Sequence, residues 1–91
     1  MSHINDDLAP WLDARADEMA ELVMQLVAID TENPPGRGLR ECGAVLHAAM
    51  ARLDLAPELI ELGDDACIVR GSAGAGERLV YFHGHFDVVP A

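Results

Sequence analysis

The stretch RLVYFHG, residues 78–84, decides how the rest of the chain is read. Leu79 to Phe82 are four apolar residues in a row. A short unbroken run of that kind suits a strand covered on both faces, as strands of parallel sheets are. The run leads straight into HGHFD, residues 83–87. Residues two apart in a strand point to the same side, so His83, His85 and Asp87 share a side wherever the extended backbone continues. Gly84 permits close backbone approach or a bend, and Pro90 ends any further ladder pairing.

Upstream, the periodicity is helical. Residues 1–7 read as a loose polar start. Leu8 to Ile29 reads as one helix, with Met19, Leu22, Val23 and Leu26 on one face and Glu18 and Glu21 toward solvent. Asp6 or Asp7 caps its start, and Pro10 is tolerated in a first turn. DTENPPGRG, residues 30–38, breaks it, because two prolines and two glycines within five residues cannot continue a helix. The Asn-Pro step favours an extended backbone at Asn33. A second helix is predicted from about Leu39 to Leu53, with Leu39, Cys42, Leu46, Ala49, Met50 and Leu53 on one face. His47 falls on the polar face with Arg40 and Ala51, which predicts an exposed histidine. After Pro57 the period shortens. ELIEL and ACIVR flank the turn GDD, residues 63–65, as a hairpin. GSAGAGE, residues 71–77, is a further turn. A dinucleotide loop needs a strand before the glycines and a helix after them, whereas here a strand is expected to follow. The predicted order is helix, helix, strand, strand, strand: an α/β chain contributing to a mixed, mainly parallel sheet.

Composition narrows the function classes. The chain has 91 residues, at most one small domain, and 51% are hydrophobic. Sixteen acids stand against six bases, all arginine, for a net charge of −10. Such a balance repels phosphates and argues against nucleic acid or an anionic membrane as partner. No stretch approaches the roughly 20 apolar residues of a membrane span. Cys42 and Cys67 form no CxxC pair and read as small buried hydrophobes; the acidic start MSHINDDLAP has no secretory pattern, and a reducing cytoplasm is expected.

The chemistry concentrates in residues 83–87. A neutral imidazole is a good zinc ligand. A ligating histidine commonly gives its other ring N–H to a carboxylate or carbonyl, which fixes tautomer and orientation. Asp87 is spaced to do this for His85, to bind metal itself, or to steer a catalytic group. His83 reads as a supporting group, a substrate contact or a packed strand residue. Sites in open α/β sheets form outside the carboxyl ends of strands, and His85 sits at such an end. A bare His-x-Asp pair is also common as a purely structural feature.

GHFDVVP, residues 84–90, resembles the first metal-site motif of the zinc aminoacylase and carboxypeptidase family. That family includes acetylornithine deacetylase, succinyl-diaminopimelate desuccinylase, aminoacylase and the bacterial glutamate carboxypeptidases. Its motif, Gly-His-x-Asp-Val-Val-Pro, is matched at every fixed position. LVAIDTENPPG, residues 26–36, is similar to the family's segment after its first helix, and the order of elements fits, so the resemblance spans nearly all of residues 1–91.

The resemblance implies two zinc ions, or cobalt in their place, activating a water that attacks the amide carbonyl of an N-acyl amino acid or peptide-like substrate, with the acetylornithine deacetylase and desuccinylase type favoured. Carried over by residue, His85 is a ligand of one metal. Asp87 is the catalytic-site aspartate that orients it. The family's bridging aspartate, its glutamate pair, a further carboxylate, a late histidine and the smaller dimerisation domain have no counterpart in residues 1–91. The chain is therefore expected to be an N-terminal part of the catalytic domain, inactive by itself and prone to form homo-oligomers through exposed strand edges. The competing expectation is a non-catalytic module, at most a weak metal binder through His83, His85 and Asp87.

Overall fold

The computed structural model describes residues 3–91, as three helices followed by a two-stranded sheet. Helix α1 spans His3–Asp13, α2 Ala16–Val27 and α3 Leu39–Arg52. Strands β1, Glu58–Gly63, and β2, Ala66–Arg70, pair antiparallel. The chain is mixed α and β, as expected. Residues 1–2 of the expected loose start lie outside the described residues, while residues 3–7 are helical.

The single helix expected over residues 8–29 is two helices. Asp6 lies in the first turn of α1, and Pro10 sits inside the helix, where it offers no N–H to the ladder. The helix ends at a turn around Arg15. The Arg15 guanidinium lies 3.9 Å over the Trp11 ring and donates to the Trp11 carbonyl at 3.3 Å. A cation on the last carbonyls of a helix satisfies groups that have no partner within it. Helix α2 then starts afresh. Its apolar stripe is only half-covered: Leu22 and Leu26 are half-buried, while Met19 and Val23 are exposed.

Helix α3 lies across the hairpin and makes most of the core. Cys42, Gly43 and Ala49 are its buried residues. Gly43 is where helix and sheet come closest. A Cβ there would stand 2.5 Å from the Cys67 sulfur and 3.4 Å from Val69 Cγ2. His47, one turn on from Gly43, is half-buried rather than exposed, because the covered face of α3 extends toward Gly43 beyond the stripe read from the sequence. Cys42 is buried and Cys67 half-buried. Burial is the main cause pushing both thiols up from their ordinary value.

The hairpin pairs Glu58 with Arg70, Leu59 with Val69, Ile60 with Ile68 and Glu61 with Cys67, and its register shifts between Glu61 and Gly63. Asp64 and Asp65 both take left-handed φ values, 45° and 66°, as two-residue hairpin turns of the primed types require. This turn also caps α3. Gly38, at the N-cap, has no side chain to offer. The Asp65 carboxylate instead accepts from the backbone N–H of Leu39 and of Arg40, each at 3.3 Å. The Arg40 side chain reaches Glu61 at 3.2 Å, and Arg70 reaches Glu58 at the same distance.

The third strand expected at 78–84 does not form, and no parallel sheet is built among the described residues. The only parallel pairing there is an isolated bridge between Glu32 and Val88. Leu79, Val80, Tyr81 and Phe82 are 85%, 75%, 76% and 91% exposed. The physical reason is a shortage of neighbours. A doubly covered strand needs partners on both edges and cover on both faces, and the single α3–hairpin layer supplies neither. The dimensions agree. The accessible surface is 7497 Å², against about 5200 Å² for a compact protein of this mass. The radius of gyration is 15.4 Å, against about 12 Å.

Replacing Asp65 by alanine removes the borrowed cap and puts a disfavoured residue at a left-handed position. We expect a loss of about 1–2 kcal/mol of unfolding free energy in urea. Asp65→Asn, which keeps an acceptor oxygen and tolerates the turn, should lose less than half of that. Equal losses for the two variants would contradict the cap.

Candidate functional site

Two backbone hydrogen bonds at Val88, the residue after HGHFD, fasten this end of the chain to the body of the fold. Val88 N–H donates to the Thr31 carbonyl at 3.0 Å, and Asn33 N–H donates to the Val88 carbonyl at 2.8 Å. Thr31 is buried, with 4% of its surface exposed. The loop that presents Asn33 is itself held by local bonds. The Asp30 carboxylate accepts from Glu32 N–H at 3.2 Å and pairs with Arg37 at 3.2 Å. These contacts, the Glu32 N–H first and Arg37 second, hold the Asp30 carboxyl below its ordinary value. Gly36 N–H and Arg37 N–H both donate to the Glu32 carbonyl. Gly38 closes the loop with φ 57°, and a Cβ there would stand 2.5 Å from the Asp30 carbonyl oxygen, so the return into α3 requires glycine.

Onto this frame the chain builds a relay of three side chains. Asn33 Nδ2 donates to Asp87 Oδ2 at 3.0 Å, and Asp87 Oδ1 lies 2.7 Å from His85 Nδ1. The Asp87 carbonyl lies 3.1 Å from the same ring nitrogen. An ionised carboxylate and a carbonyl can only accept, so Nδ1 carries the proton. In the neutral ring the lone pair is then on Nε2. The His85 side chain is 82% exposed, so its ring is not enclosed by protein. Donation from Asn33 is the first cause, and from His85 the second, that holds the Asp87 carboxyl below its ordinary 3.8.

An open groove of about 400 Å³ runs beside His85. Val23 and Val27 of α2, with Ile29, Phe86 and Val88, make its wall largely apolar.

His85 and Asp87, the residues singled out in the sequence, are therefore in direct contact. Of the alternatives open for Asp87, this geometry favours orientation of His85, since each of its oxygens already has a partner. His83 is not drawn into the pair. Its ring stacks on Tyr81, with centroids 6.3 Å apart and planes 18° from parallel. Among the described residues no three His, Cys, Asp or Glu side chains converge as a metal-holding group. For zinc, the donor set fits one ligand position with its orienting carboxylate, and it is short of the three protein ligands of a catalytic site. Asn33 was missed in the sequence, where it reads only as the extended residue before a proline. Its spacing from the motif, 54 residues, gives no local signal. The chain matches no protein-family model, no curated protein and no solved structure.

The relay has a pH signature. Because the folded value of Asp87 is depressed, its contribution is fully present above pH 3.8 and is lost as pH falls through the lower folded value. Carbon-detected NMR of the Asp87 carboxyl should place its midpoint below 3.8. In Asn33→Ala the midpoint should move up, while the neutral His85 ring, read separately in mildly alkaline solution, keeps its Nδ1–H tautomer. A midpoint indifferent to Asn33→Ala would remove Asn33 from the relay.

Proposed function

We propose that the chain carries the first ligand position of a zinc-dependent amidohydrolase: His85 is the metal-binding imidazole and Asp87 the carboxylate that fixes its tautomer. The single observation that supports this reading is the 2.7 Å contact between His85 Nδ1 and Asp87 Oδ1. It leaves the Nε2 lone pair, on a largely exposed side chain, free to bind a metal, in the arrangement common to carboxylate–histidine–zinc triads. The resemblance of GHFDVVP and LVAIDTENPPG to the zinc aminoacylase and carboxypeptidase family points the same way. A zinc or cobalt ion bound with such ligands supplies an acidified water and a polarised substrate carbonyl. The substrate class is an N-acyl amino acid or a peptide-like amide.

In this reading residues 1–91 are an N-terminal part of the catalytic domain, and the apolar run 79–82 is a strand of its mixed, mainly parallel sheet. The remaining ligands and the general base come from polypeptide beyond this set of residues, since one imidazole cannot hold the two ions of such a centre. The contribution of this chain's own residues is positional. Asn33 holds Asp87, Asp87 holds His85, and the backbone bonds at Val88 hold all three to the helical body. A non-catalytic module, at most a weak metal binder through His83, His85 and Asp87, is the second reading; it takes the His85–Asp87 contact as a structural pair.

Titrating zinc into the 91-residue chain separates the two. We expect zinc to perturb the ring resonances of His85 first, with weak affinity, and the response to vanish in His85→Ala. N-acetylornithine hydrolysis should stay negligible with zinc added. Zinc that leaves His85 untouched would favour the non-catalytic reading. Turnover that survives purification and disappears in His85→Ala would instead mean that the chain holds a complete centre.

A further inference from the structure

Among the described residues, no backbone N–H or C=O group of residues 73–87 takes part in a backbone–backbone hydrogen bond. Within this stretch Leu79, Val80, Tyr81 and Phe82 are all at least 75% exposed. The Tyr81 and His83 rings lie side by side, as alternate residues of a strand do. The stretch 78–86 contains no proline and none of the chain's sixteen acids. It is thus an unpaired, largely apolar segment, guarded by one charge at Arg78 and by no proline or acid. In a chain of net charge −10, an acid-free segment is also where two copies approach with least repulsion.

We propose that the 91-residue chain self-associates as a two-fold dimer in which residues 77–83 of two copies pair as antiparallel strands about Val80. A two-fold axis normal to the new sheet keeps like faces together, so only residues of equal parity can stand opposite each other. Centred on Val80, the register sets Val80 against the partner's Val80 and Leu79 against the partner's Tyr81. Arg78 then faces the partner's Phe82, and Glu77 faces the partner's His83. Every pair is apolar with apolar, cation with ring, or carboxylate with imidazole, and no two carboxylates meet. Centring on Tyr81 instead would set Arg78 against the partner's Gly84 and Leu79 against the partner's His83. The dimer uses the same edge that a larger sheet would use, so each arrangement excludes the other.

The test is sedimentation equilibrium of the full chain over a wide concentration range. The average mass should climb from 9.8 kDa toward twice that value. Val80→Glu and Val80→Lys each place like charges directly opposite one another. Each should weaken the dimer about tenfold or more, and an equimolar mixture of the two should restore it. Three results overturn the proposal: a wild-type chain that stays at 9.8 kDa throughout, a dimer indifferent to Val80→Glu, or a mixture that associates no better than either variant alone. Helical circular dichroism should be unchanged in both variants. Its collapse would place Val80 in the packing of the fold and would also overturn the proposal.

Discussion

The pairing of Thr31 and Asn33 with Val88 is the constraint on which the candidate site depends. Two backbone hydrogen bonds join the tail after β2 to the segment between α2 and α3. Among the described residues nothing comparable holds residues 73–87, whose backbone makes no bond to backbone there. The position of His85 relative to the body therefore follows from this short parallel contact and from the Asn33–Asp87 bond beside it. The buried Thr31 supplies the fixed side of the contact. Irregular backbone around Asn33 is kept in place by Asp30, Arg37 and the left-handed Gly38 rather than by regular secondary structure.

The second organising contact is steric. Helix α3 approaches the hairpin through a residue with no side chain, and the Cys67 sulfur fills the space at Gly43. Close approach of that kind removes apolar surface from water over a short interface. It is also limited. Few residues are fully buried and α2 has none, so the body rests on one layer of packing plus charge pairs at the surface. Exposed pairs such as Arg70–Glu58 add little to stability; their role here is alignment across the strands.

Much of this was legible in the residues. The span of α3, the hairpin around GDD and the break at NPPG follow from local chemistry: periodicity, turn formers and prolines. The contact between His85 and Asp87 was legible too, because it spans two residues. What escaped was set by tertiary context. The joint between α1 and α2 depends on Arg15 folding back onto Trp11, and no breaker residue marks it. The half-burial of His47 depends on how α3 rolls toward the sheet. Leu79 to Phe82 have the composition of an interior strand, yet composition speaks of what a segment would bury and not of whether neighbours are present to bury it. Asn33 and Asp65 act across 54 and 26 residues respectively, distances over which a single sequence carries no pairing signal.

The Arg15–Trp11 stack has a practical corollary. Trp11 is the sole tryptophan of the chain, and it stands about half exposed under a guanidinium at the α1–α2 joint. Its emission is thus a gauge of that joint and not of the α3–hairpin layer. A spectroscopist following intrinsic fluorescence would watch the hinge of the first two helices loosen while the layer that holds the candidate site stayed silent.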